Sequence, residues 1–396
     1  MKILFITPVV PTQTDGRRPF NFLKYLTRRH TVHLITMRMD VQTDADVERL
    51  RDMGVIIEAV VDIHKFRSLC QSALGLLNRR PLRVSWCVHP AVRNAIHQVG
   101  QKHSFDLVHI DRLRMGQYAP SIKAPVVIDF TDSLPLYLQR SMRFRTRFSD
   151  WLIDGWERFS IPRYERYLAK HMDGGLVCSD IDATVFQKNC PIANFHVIEN
   201  AVDPYQFQPR THHKDHRPRI VITGTLFYFP NLDSIRFYID DILPALRERY
   251  PWLETLLIGT RPEAWVRSLD GQNGIQVLSD VPRMEEYLYS DDIYLCPLRV
   301  AAGVRNKLLE AMSAKMPIVT TSLGAEGLHV EDEREMLFAE TPDQFIHQVE
   351  RVIDSPQLRE QLGQASRNYI KERHTLDELG RKLVNCYEGL LEQRNA

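Results

Sequence analysis

The chain has 396 residues, 44% hydrophobic and 26% charged, enough for two domains with sizeable cores and far from the composition of disordered chains. Lys and Arg number 51 against 50 Asp and Glu, a formal charge of +1, which excludes a chain built around nucleic-acid binding. The six cysteines are scattered without a CxxC pair and no His stands at metal-ligand spacing, so a reducing cytosol, no structural zinc and no metal at the active site are expected.

The charge is uneven along the chain. Residues 1–200 carry 28 Lys and Arg against 20 Asp and Glu, and residues 201–396 carry 23 against 30, so the halves have opposite sign. No stretch reaches the roughly 20 apolar residues of a spanning helix, and the run from Ile3 to Val10 is broken by Thr7 and Pro8. Neither secretion nor a membrane span is expected.

KILFITP opens the chain as a short apolar run, the pattern of a parallel strand buried on both faces. A loop with Asp15 and Gly16 follows, then Phe20, Phe22, Leu23 and Leu26 at helical spacing, then the strand TVHLITM. That is a βαβ unit. Further strands are predicted at Gly54–Val61, Asp106–Ile110, Pro125–Ile128 and Gly175–Cys178, each separated by enough chain for a helix. Residues 1–200 therefore read as a doubly wound parallel sheet. Strand ends in such sheets face the ligand. FDLVHID puts His109 and Asp111 at one such end, and IDFTDS puts Asp129 and Asp132 at the next. Asp132 is the candidate for binding a substrate group or for base-like assistance.

Between them and the next break, Arg140, Arg143, Arg145 and Arg147 interleave with Met142, Phe144, Phe148, Trp151, Leu152 and Trp156. Basic and aromatic residues on one segment suit an anionic membrane surface, so Arg140–Trp156 is a candidate peripheral contact. Residues 201–218 lose apolar periodicity and read as an interdomain linker, with His212, His213 and His216 as solvated side chains.

From 219 to 375 the alternation restarts, with RIVITGT, TLLIG, IQVLSD, IYLCPL, PIVTTS and EMLFAE as strands of a second doubly wound domain. Residues 376–396 form a last helix whose stripe Leu379, Leu383, Cys386, Tyr387 and Leu390 suits packing on either domain. The informative loop runs from Ala301. Gly303 permits close backbone approach at a strand-to-helix turn, where helix N–H groups favour an anion such as a diphosphate, and Arg305 and Lys307 add opposite charge. Glu310, about one helical turn beyond Lys307, can accept hydrogen bonds from ribose hydroxyls.

KILFITP, VIENAVDPYQFQP, GTLFYFPNLDSIRFY, PWLETLLIGTRP, VPRMEEYLYSDDIYLCPLR and AGVRNKLLEAMSAKMPIVTTSLGAEGL, in this order, resemble the retaining nucleotide-sugar glycosyltransferases of the GT-B fold, family 4, and its exopolysaccharide-associated members above all. The resemblance implies two Rossmann-like domains facing a cleft. Acceptor would bind at 1–200 and a UDP- or GDP-linked sugar, a substrate and not a cofactor, at 219–375. It adds Gly16 and Arg261 to the donor contacts, and makes His109 a residue near the transferred sugar. It further implies a hexosyltransferase of the cytoplasm or the inner membrane face, with a lipid-linked or exopolysaccharide acceptor. The sequence departs from the family at Ala302, eight positions before Glu310, where a first glutamate is usual. GTLFYFPN likewise lacks a cation common in relatives. A nucleotide-sugar epimerase of the same fold and a non-catalytic glycan-assembly subunit are the rival readings.

Overall fold

Each apolar run found in the sequence pairs with its neighbours as a parallel strand in the computed structural model, which describes residues 1–14, 16–39, 42–145, 148–212 and 217–395. The chain divides into two units, Met1–Glu199 together with the chain from Leu376 onward, and Asn200–Thr375. Strands of the first are β1 (Lys2–Thr7), β2 (Thr31–Arg38), β3 (Ile56–Asp62), β4 (Leu107–Asp111), β5 (Val126–Thr131), β6 (Gly174–Val177) and β7 (Phe195–Val197). They lie in the order β3-β2-β1-β4-β5-β6-β7, all parallel. The second unit has β8 (Ile220–Thr225), β9 (Thr255–Thr260), β10 (Ile275–Ser279), β11 (Ile293–Cys296), β12 (Ile318–Thr320) and β13 (Leu337–Phe338) in the order β10-β9-β8-β11-β12-β13. These strands are parallel too.

In both sheets the order reverses at the first strand, so the crevice outside the carboxyl ends of β1 and β4, and of β8 and β11, is where ligands of such sheets bind. Helices cover both faces because the central strands are buried residue after residue: Ile3, Phe5, Ile6 and Ile110 in one core, Ile220, Ile222, Leu257 and Ile293 in the other.

Two expectations need correction. Residues from Asn200 belong to the second unit, and several of the described residues of 201–218 are packed in it, so this described part is no free linker. Ala201, Val202 and Phe207 are buried, the Val202 N–H donates to the His374 carbonyl at 2.9 Å, and the Ser313 hydroxyl donates to that of Phe207 at 3.0 Å. His212 stacks on Tyr289 with centroids 3.7 Å apart and bridges Asp291 and Arg219. It is a packed residue; His213 and His216 fall outside the described residues.

The last helix, Leu376–Asn395, is the second. It belongs to the first unit, where Leu379, Leu383, Tyr387 and Leu390 are all buried. Gly380 lies so close to the Tyr25 ring that a Cβ there would come within 2.1 Å of it, and Leu390 lies over Gly174. Glycines on both partners allow this close approach of the helix.

Candidate functional site

In the second unit the site begins at β8. Gly224, with φ of +153°, stands opposite Gly259 of β9, where a Cβ would fall 1.7 Å from the Gly224 carbonyl oxygen. A Cβ on Gly224 itself would meet the Asn231 amide at 2.6 Å. This room lets the Asn231 side chain fold back over the strand end, its Nδ2 donating to the Thr225 carbonyl at 3.0 Å and its Oδ1 accepting from Lys307 Nζ at 2.9 Å. Asn231 and the glycine pair went unread in the sequence. A glycine at the carboxyl end of two adjacent strands was their signal.

Lys307 lies on the first turn of the helix Asn306–Ser313, which follows β11 through a loop bent at Gly303, φ +77°. That first turn carries no acid, and Arg305 at the cap position gives it no side-chain cap. Burial pulls the Lys307 ammonium below its ordinary pKa, Arg305 lowers it further, and Cys296 opposes this. Among the described residues no carboxylate pairs with Lys307. By contrast Arg299, in the same loop, is held by Asp233 through contacts of 2.7 and 3.0 Å.

Arg305 takes a different part from the one expected. Its guanidinium is buried and donates to the Gly303 carbonyl and, at 3.0 Å, to that of Leu323, so it braces the turn that presents Lys307. Glu310 is buried on the same helix, 4% exposed. Arg261 follows β9 with φ of +50°, is exposed, and lies 4.1 Å over the Phe227 ring in the loop after β8. Loops after β8, β9 and β11 thus bring Arg261, Asn231, Gly303, Arg305, Lys307 and Glu310 to one edge of one sheet. An uncapped helix start with two cations stacked upon it is unfavourable by itself and suited to an anion.

Gly16 belongs to the first unit. It caps the helix Arg17–Leu26 with φ of +68°, its Cβ position 3.2 Å from Val9, so a conformation open chiefly to glycine turns the chain from β1 into that helix. Arg18 then reaches inward, its Nε donating to Asp129 at 2.6 Å and its Nη1 to the Ile198 carbonyl at 2.7 Å.

His109 is displaced from the role expected of it. Its ring is fully buried in β4, stacked on Phe5 at 4.3 Å, edged by Phe22, and hydrogen-bonded through Nδ1 to the Tyr387 hydroxyl of the last helix at 2.6 Å. Burial pushes its pKa down to about 4, with Arg18 adding to that and Asp129 opposing it. His109 is a neutral core residue. Asp132, half-buried, follows the carboxyl end of β5, its N–H donating to the Phe130 carbonyl at 3.0 Å.

Asp111, at the carboxyl end of β4, carries more than the sequence assigned it. The carboxylate is buried, neither oxygen has a hydrogen-bond partner among the described residues, and the nearest guanidinium, Arg112, stands 3.8 Å away. Arg112, which follows β4, and Thr131, which ends β5, both have left-handed φ, +66° and +68°. Strain of this kind persists where the surroundings impose it, and ligand sites are among such places. Desolvation pushes Asp111 up to about 6, Asp129 adds to this, and Arg112, Arg114 and Arg18 oppose it.

A raised carboxyl binds its proton more tightly in the folded chain, so stability is lost as pH rises from the unfolded value through about 6. Asp111→Asn should therefore stabilise the protein by at most about 3 kcal/mol at pH 7.5, and by much less at pH 4. Urea unfolding at the two pH values measures this; an Asn variant less stable than wild type at pH 7.5 would show that Asp111 holds the fold.

Among the described residues of Arg140–Trp156, the arginines are not equivalent. Arg145 is engaged by Asp154 at 2.8 Å, Arg143 is exposed, and Arg147 lies outside the described residues. Trp156 donates its Nε1 to the Arg80 carbonyl at 3.2 Å, whereas Phe148, Trp151, Leu152 and Ile153 are exposed. The helix Lys65–Leu77, overlooked in the sequence, exposes Phe66, Leu69, Leu74 and Leu77. No helix among the described residues is long and apolar enough to cross a membrane.

Residues 217–355 match the family described as glycosyl transferases group 1. Over 134 residues the chain is 27% identical to an uncharacterised 44.6 kDa protein of the cps region of Klebsiella pneumoniae, a match covering 31% of this chain and about a third (34%) of that protein. Among solved structures, Anabaena HepE in complex with UDP aligns at TM-score 0.67 and 14% identity, covering 98% of this chain and 100% of that one. HepE has also been solved with UDP-glucose. Sucrose-phosphate synthase of Thermosynechococcus elongatus aligns at TM-score 0.71 and 12% identity, over 99% and 100% of the two chains. The fold is GT-B, and the residues that match the group 1 family lie within the second unit.

Proposed function

We propose that this chain, a GT-B fold with a glycosyl transferases group 1 domain, moves a hexosyl group from a nucleotide-diphosphate donor to a hydroxyl of a growing glycan, with retention of configuration. The observation that carries the reading is Lys307, half-buried at an uncapped helix start, its ammonium desolvated, held in place by Asn231 and without a carboxylate partner among the described residues. Such a group is costly unless an anion completes it. In a retaining displacement without an evident enzyme nucleophile, the protein has to stabilise the departing diphosphate and the oxocarbenium-like sugar. Lys307 and the helix N–H groups take the diphosphate, Arg305 braces their turn, Arg261 adds charge from the β9 loop, and Glu310 accepts from the ribose hydroxyls. Asp132 and Asp111, at strand ends of the first unit, serve the acceptor. Ala302 makes the grip on the donor sugar different from that of relatives with a glutamate there.

HepE binding UDP and UDP-glucose supports a uridine diphosphate donor, and the cps-region relative supports polysaccharide assembly. The test is calorimetric titration with UDP, GDP and ADP, followed by incubation of the corresponding sugars with glycan acceptors. Tight binding by one base series and transfer to acceptor are expected. Absence of binding to all three would remove the site. Binding without transfer would favour a non-catalytic assembly subunit, and a free nucleotide-sugar isomer formed without acceptor would favour an epimerase.

The acceptor is proposed to be lipid-linked and the enzyme peripheral on the inner membrane face. Support comes from the surplus positive charge of residues 1–200 and from the exposed apolar residues of Lys65–Leu77 and Phe148–Ile153. The protein should sediment with anionic vesicles at low salt and be released at high salt, whereas a Phe66→Ser, Leu77→Ser, Trp151→Ser variant stays in the supernatant. Equal sedimentation of both proteins would take the contact away from these helices.

A further inference from the structure

His33, Glu58 and His103 stand 25 and 45 residues apart in sequence, yet their ligand atoms lie within 4.8 Å of one another. His33 is on β2 and 97% buried, being 3% exposed; its Nδ1 is 2.6 Å from Glu58 Oε1, and His103 Nε2 is 3.5 Å from the same oxygen. Nδ1 is thus the ring nitrogen turned to Glu58, and the other nitrogen, Nε2, is buried without a hydrogen-bond partner among the described residues.

Glu58 reaches His33 through a fault in the sheet. Along β2 and β3, Leu34 pairs with Ile57 and Ile35 with Ala59, so Glu58 is an extra residue in an otherwise regular parallel ladder. Bulges are rare between parallel strands, and where they occur they re-aim a side chain. Here the bulge supplies a carboxylate to two imidazoles. His103 caps the end of the helix Pro90–Lys102, and Phe105 walls the group edge-on, 5.1 Å from the His33 ring and 6.0 Å from that of His103. Lys2 is a neighbouring cation, its Nζ 5.5 Å over the Phe105 ring.

We propose that His33, Glu58 and His103 bind a divalent transition ion of the zinc class, with water in the fourth position. Two imidazoles and one carboxylate are a zinc donor set. With bonds of about 2.0–2.1 Å, the edge of a zinc tetrahedron is roughly 3.3 Å, and the observed 2.6 and 3.5 Å lie on either side of it. His103 and Glu58 are partly exposed, which leaves an entry path and room for the water. The cluster sits toward the amino ends of β2 and β3, the third residue of each, whereas the candidate site of this unit lies at carboxyl ends. The ion therefore ties β2, β3 and the end of a helix together and takes no part in transfer.

The experiment uses the full chain without a polyhistidine tag, stripped with chelator and titrated with Co²⁺, then with Zn²⁺. One equivalent of Co²⁺ should give the visible bands of a four-coordinate site, displaced by Zn²⁺, and Zn²⁺ should raise the unfolding temperature. Because His33 is buried and its replacement could unfold the chain, the variants are His103→Ala and Glu58→Gln, each expected to weaken Co²⁺ binding at least about tenfold. His97→Ala, on the exposed face of the helix Pro90–Lys102, should bind as wild type. Absence of the bands in the wild type, unchanged affinity in His103→Ala and Glu58→Gln, or an equal loss in His97→Ala would each overturn the proposal.

Discussion

Lys307→Ala is expected to lower sugar transfer by about 10² to 10³-fold, the range found when one preorganised donor to a developing negative charge is removed. The wild-type ammonium is fixed by Asn231 at 2.9 Å before any ligand arrives, so little reorganisation opposes its use. Part of the loss should appear as weaker nucleoside diphosphate binding, about 1.5–3 kcal/mol for a charge-assisted contact, and the rest in kcat. The ligand-free variant should be no less stable than wild type. Burial already lowers the pKa of Lys307, so removing the amine relieves a desolvation cost. This separates function from folding. A variant that binds UDP, GDP or ADP as wild type does, or that loses activity only because it has unfolded, would sink the assignment.

Arg18→Leu is expected to destabilise the first unit by about 3–5 kcal/mol, the cost of leaving a buried charge without its partner. Asp129 is fully buried, and among the described residues the only guanidinium within bonding distance of it is that of Arg18, at 2.6 Å. The same side chain donates to the carbonyls of Ile198 and Glu199 at 2.7 and 3.2 Å, so it fastens the start of one helix to the last residues of the first unit's body. Urea unfolding reads the loss. The double variant Arg18→Leu, Asp129→Leu should recover a large part of it, because an apolar pair of similar volume removes the desolvation cost as well as the attraction. If the single variant is as stable as wild type, the pair is not held dry and this account of it fails.

Much of the architecture was readable in the residues, and the reason is physical. Parallel strands buried on both faces must be apolar without interruption, so KILFIT, TVHLITM, IVITGT, TLLIGT and IYLC stand out of the chain by composition alone. Their alternation with helical spacing implied two doubly wound sheets, and each sheet sends its strand ends to one edge. The loop holding Gly303, Arg305, Lys307 and Glu310 was therefore locatable without coordinates. β7, Phe195–Val197, escaped because three half-buried residues make no run.

What the sequence by itself determined is what depends on local periodicity: the strands, the class of fold, and the loops that follow the strand ends. Only the tertiary structure decided which residues separated in sequence touch. Lys307 meets Asn231 across 76 residues because two glycines vacate the strand ends between them. His109 is sealed into the core by Tyr387, which arrives 278 residues later on a helix whose stripe suited either unit. Arg145 turns inward to Asp154, and Glu58 meets His33 by way of one extra residue in a strand. Periodicity is written in neighbouring residues, whereas contacts, burial and the proton affinities that follow from them belong to the packed chain.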